Sequence, residues 1–107
     1  MTEHNNAKLP ENLTVTQVSE LIDNISIADQ EPGYLHTVYN SNGLEIALRT
    51  HFLATNQPIA ILYIIDGDEQ TRVPGTYQEG LSQTNLFLSR SLVKLWYQHV
   101  AAKACAL

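Results

Sequence analysis

Between Asn56-Gln57-Pro58 and Asp66-Gly67 the chain runs through seven consecutive apolar residues, IAILYII. The run is too short for a buried helix and rich in isoleucine, whose branched Cβ suits a pleated strand. It therefore predicts a strand apolar on both faces. Ile59, Ile61, Tyr63 and Ile65 would project to one side, Ala60, Leu62 and Ile64 to the other. Any sheet built on this strand needs covering twice.

The flanking segments supply the rest of that sheet. From Tyr34 the pattern has a period of two, and it reaches Asn42-Gly43, the dipeptide that favours a two-residue hairpin turn. A regular ladder from that turn pairs Ser41 with Leu44, Tyr39 with Ile46 and Thr37 with Leu48. It lines one face with Leu35, Tyr39, Leu44, Ile46, Leu48 and Phe52. Asp66-Gly67 predicts a second hairpin turn, leading into DEQTRV, a polar edge strand that ends at Pro74.

Helical signals bracket the strands. Thr14 and Gln17 fit a capping box, Leu13 and Val18 a hydrophobic staple, and Val15, Val18, Leu21, Ile22 and Ile25 recur at helical spacing up to the stop at Pro32-Gly33. Residues 1–12 show no apolar period and are expected to form a disordered tail ahead of one domain over 13–107. Thr76 and Glu79 suggest a second capping box and a long helix reaching about Ala104, with Gly80 a place for a break or for a later start near Ser82. The expected fold is two-layer α+β: an N-terminal helix, a four-stranded antiparallel meander and a long C-terminal helix.

Composition narrows the function classes. With 44% hydrophobic and 16% charged residues in 107, the chain has the apolar content of a folded domain. A net charge of -5 with no basic run argues against nucleic acid as a partner. Cys105 stands alone, so no internal disulfide forms. The absence of a long apolar run and of a leader pattern gives the expectation of a cytoplasmic protein that does not engage membrane.

Apolar surface is in surplus. Leu81, Leu88, Leu92, Leu95 and Trp96 form one stripe of the last helix, yet Leu86, Phe87, Val93, Tyr97, Val100 and Ala104 lie around the rest of it. Leaving several such side chains in water forgoes roughly 1.5–3 kcal/mol each, a large share of a small domain's stability. The sequence therefore predicts a homodimer, with Leu62, Ile64, Leu88, Leu92, Trp96 and Tyr97 as candidate interface or ligand-binding residues.

Chemistry is sparsely signalled. In the regular register His36 faces Arg49 and lies diagonal to His51, with Glu45 further along, so this group could bind an anion or move a proton. Asp66, Asp68 and Glu69 resemble part of a calcium loop, but Tyr77 occupies its closing position, and no spacing proposes any other metal site. VPGTYQEG matches no phosphate-binding loop. Ser82, Ser89 and Ser91 lack a nucleophile elbow, and Cys105 and His99 sit in a helix end where ordinary structural roles suffice. The resulting expectation is a small acidic non-catalytic binding protein, needing no cofactor and partnered by a basic protein through electrostatic steering or by an apolar small molecule. The alternatives are an enzyme using His36, His51 and Arg49 on an anionic substrate, and a sensor that encloses an apolar ligand between the second sheet face and the last helix.

Overall fold

Asn42 and Gly43 both have positive φ, 49° and 87°, as the tightest hairpin turn demands, and they join strands β1 (Leu35–Ser41) and β2 (Leu44–Phe52). A computed structural model describes residues 8–106 of the chain. The five-residue loop after Phe52 closes with Leu53 N–H donating to the Gln57 carbonyl, and β3 (Pro58–Asp66) then returns along β2. Gly67, at φ 62°, turns the chain into the short β4 (Glu69–Arg72), whose pairing of Asp66 with Glu69 makes Gly67 and Asp68 the central turn residues. The sheet order is β1-β2-β3-β4, a fully antiparallel meander.

Helix α1 (Val15–Asp23) begins with the expected capping box. Thr14 Oγ1 accepts from the Gln17 N–H, and the Gln17 side chain accepts from the Thr14 N–H. A single 3-10 turn (Ile27–Asp29) buries Ile27 against β3. The second capping box does not form. Residues 73–77 instead continue along β3: Val73 N–H donates to Leu62, Tyr77 and Ala60 exchange main-chain bonds, and Gly80 turns at φ 83° before helix α2 (Ser82–Ala106) starts. Pairing Tyr77 with the β3 edge satisfies main-chain groups that a helix starting at Thr76 would have withdrawn from the sheet.

Both helices pack on the same face of the sheet. The core joins Leu13, Val18, Ile22 and Ile27 to Leu44, Ile46, Leu48, Ala60, Leu62 and Ile64, and to Leu88, Leu92, Val93 and Trp96 of α2. Every strand residue in that set belongs to one side of the alternation. The expected α+β order is therefore present, with both helices in one layer. The strand that looked buried twice is covered by helix on one side only.

The segment ahead of α1 is bonded to the first hairpin and to α2. Leu9 to Glu11 are held down: Glu11 N–H donates to Ser41 Oγ, Asn42 Nδ2 donates to the Leu9 carbonyl and Trp96 Nε1 donates to the Glu11 carbonyl. A polar segment without apolar period can still be fixed by main-chain hydrogen bonds, which leave no trace in hydrophobic spacing. Residues 1–7 of the expected tail lie outside the described residues.

Candidate functional site

The expected register of β1 on β2 holds only near the turn. Ser41 pairs with Leu44 and Tyr39 with Ile46, but Thr37 then pairs with Ala47, so Val38 is an extra residue in a β-bulge. The reason lies in packing. Val38 and Tyr39 both rest against the core, which two consecutive residues of a regular strand cannot do, and Tyr39 stands edge-on to Trp96 with ring centroids 5.7 Å apart.

The bulge dissolves the candidate catalytic group. His36 pairs with Leu48 rather than Arg49 and falls on the helix-bearing side of the alternation, beside Tyr34. Arg49, His51 and Glu45 stay on the opposite side, while Leu35 and Thr37 move to join them. Glu45 accepts a hydrogen bond from Thr37 Oγ1 at 3.0 Å. Arg49 lays its guanidinium over the Tyr63 ring, 5.5 Å from the centroid, with Nε buried and unpaired. His36 therefore lies across the sheet from His51 and Arg49, so the three side chains do not converge as an acid–base site on this sheet would need.

The candidate interface residues are mostly interior. Leu62, Ile64, Leu88, Leu92 and Trp96 are at most 1% exposed within the chain's own core, leaving no side-chain surface for a second molecule, whereas Tyr97 is 44% exposed. The strand and helix patterns identified them as apolar, but could not tell a face turned inward from one turned outward. The last helix packs on the first sheet face, so α2 and the second sheet face do not come together. The cleft between the helices, about 240 Å³, is lined by Ser19, Asp23, Ser82, Asn85 and Ser89 beside Ile22 and Leu86. Its polar groups largely satisfy one another: Ser19 bonds Ser89, Ser89 donates to the Asn85 carbonyl, and Asn85 Nδ2 donates to the Gln78 carbonyl.

The surface that stands out is the sheet face without helices. Its centre is a row running through Thr37, Ala47, Tyr63 and Arg72, one residue from each strand. On one side of the row lie Glu45 and Ile65, on the other Arg49 and Ile61, with His51 and Ile59 beyond. Ile59, Ile61 and Tyr63 are partly exposed, Ala47 and Ile65 are already buried within the chain, and none of the five joins the main apolar cluster under the helices. Glu45 and Arg49 stand four residues apart on one strand, about 13 Å, and form no ion pair with each other.

The remaining sites are occupied by structure. Asp66, the first carboxylate of the calcium-like fragment, takes a salt bridge from Lys103 Nζ at 2.9 Å, with His99 Nδ1 at 3.8 Å, which ties the second hairpin to the end of α2. Among the described residues no three His, Cys, Asp or Glu side chains gather as metal ligands, and no helix is long and apolar enough to cross a membrane. Comparison with protein-family models, curated proteins and solved structures finds no match.

Proposed function

We propose that this chain is a non-catalytic interaction protein that works as a homodimer, joined through the sheet face that carries no helix. The observation behind this reading is that both helices cover one side of the sheet, leaving Ile59, Ile61 and Tyr63 partly exposed on the other, around the buried Ala47 and Ile65. A second copy fits this face because its charges are antisymmetric about the central row. With a twofold axis along that row, Tyr63 meets its own copy and Ile61 meets Ile65. Glu45 of one protomer then faces Arg49 of the other at both ends of the contact. Arg72, at the exposed end of the row, has a long enough stem to turn its head into solvent.

The energetics favour a contact of moderate strength. Sheet neighbours already cover much of each isoleucine, so burying the remainder yields only part of the roughly 1.5–3 kcal/mol of a full transfer. Affinity then depends on how well Tyr63 packs and on the two charge pairs. The test is sedimentation of the full chain over a wide concentration range, beside Ile61→Arg. The expected result is a concentration-dependent dimer for the native chain and a monomer with unchanged circular dichroism for the variant. A native chain that stays monomeric at millimolar concentration, or a dimer indifferent to Ile61→Arg, overturns the reading.

A further inference from the structure

Charge is distributed unevenly along the chain. All eleven acidic residues lie outside Ser82–Ala106, and α2 holds three of the six basic ones, Arg90, Lys94 and Lys103. Lys103 is spent on Asp66, while Arg90 and Lys94 have no ion pair among the described residues. Both stand on the outward side of α2. There Gln83, Phe87, Arg90, Lys94, Tyr97 and Ala101 follow one another at alternating steps of four and three, and all six are exposed. That is the spacing of a helix seam, a line of residues that a second helix can lie along. Phe87, at 63%, is the most exposed large apolar residue described, and Tyr97 is 44% exposed.

We infer that this seam binds an acidic amphipathic helix of another protein. Two aromatic side chains flank a doubly cationic centre, so the complementary helix carries apolar residues toward its ends and Asp or Glu between them. The same pattern excludes a second copy of α2. Antiparallel self-pairing would set Arg90 against Lys94, and parallel pairing would set each against itself, so like charges oppose one another in either direction. The sheet face is thus charged in a self-complementary way and the helix face in a self-repelling way. Dimerisation through the sheet would leave both α2 seams outside, but the inference does not depend on that dimer.

The probe is a three-heptad synthetic helix with leucine at its outer seam positions and glutamate at the two central ones, beside a counterpart with lysine at the centre. Each is titrated into the isotopically labelled full chain. The expected result is saturable movement of the Phe87, Arg90, Lys94 and Tyr97 resonances with the glutamate peptide. Binding of the lysine peptide should be at least about tenfold weaker. Arg90→Glu with Lys94→Glu, at exposed positions where the fold has little at stake, should reverse that preference. No saturable shift, equal binding of both peptides, or a preference that survives the double variant overturns the inference. So does binding to phosphatidylglycerol vesicles that depends on Arg90 and Lys94 while the glutamate peptide gives no shift.

Discussion

The indole N–H of Trp96 donates to the main-chain carbonyl of Glu11 at 2.6 Å, fastening the end of the chain's first segment to the middle of α2 across 85 residues of sequence. Trp96 is fully buried, and its ring meets Tyr39, whose hydroxyl donates to the Glu11 carboxylate at 3.2 Å. One aromatic residue thereby links the N-terminal segment, the first hairpin and the last helix.

Replacing that tryptophan should loosen the segment as well as lower stability. Trp96→Phe removes the donor and leaves the Glu11 carbonyl short of a partner, at a cost of roughly 1–3 kcal/mol before any cavity contribution. Chemical denaturation should show the loss. Hydrogen exchange at the Glu11 amide should accelerate by more than the global change explains, and uniform acceleration would contradict the linkage.

The paired charges of the proposed dimer can be tested by exchange. Glu45→Arg or Arg49→Glu alone places like charges opposite each other and should weaken the dimer, whereas the two together should recover most of its strength. The coupling expected for two symmetry-related pairs is on the order of 1–3 kcal/mol in dimerisation energy. Sedimentation at low salt reads it directly. Additive losses would refute the register about the Ala47 and Tyr63 row while leaving dimerisation itself standing.

Gly43 offers a purely conformational test. A Cβ built there meets no atom within 4 Å, but the residue sits at φ 87°. Gly43→Ala should therefore cost about 1–2 kcal/mol through backbone strain alone. Gly43→Asn should recover part of the loss, since asparagine tolerates positive φ, as Asn42 does next to it. Thermal melts of the two variants separate strain from packing.

Alkaline pH should destabilise the fold. Burial raises the Tyr39 hydroxyl above its ordinary value of 10.0, and its hydrogen bond to the Glu11 carboxylate and that charge raise it further, against a lowering by Ser41. Burial likewise raises Tyr77, helped by the charges of Asp23 and Glu79. A raised folded-state value means that the native chain holds these protons more tightly than the unfolded one. The contribution is complete below about pH 10 and is lost as pH rises through the folded values. Tyr39→Phe should flatten the fall in melting temperature above pH 10, and an unchanged slope would refute the assignment.

Much of the fold was legible in the sequence because its signals are local. Thr14 and Gln17 cap a helix through atoms three residues apart, Asn42-Gly43 fixes a turn through its own φ angles, and seven apolar residues ending at Ile65 make a strand wherever they lie. The self-complementary pattern was present too, in Glu45, Ala47 and Arg49 on one strand and Ile61, Tyr63 and Ile65 on the next. It could be read only once their register was known.

Which side each residue faces was decided by tertiary structure. Val38 and Tyr39 both settle on the core, and the bulge this requires carries His36 away from Arg49 and dismantles the one polar group the sequence had suggested. The placement of α1 and α2 on a single face is equally non-local. Periodicity states that a helix has an apolar stripe, not which of two apolar sheet faces receives it. That choice depends on how Leu13, Ile22, Leu88 and Trp96 fill one shared volume, a property of distant residues meeting in space.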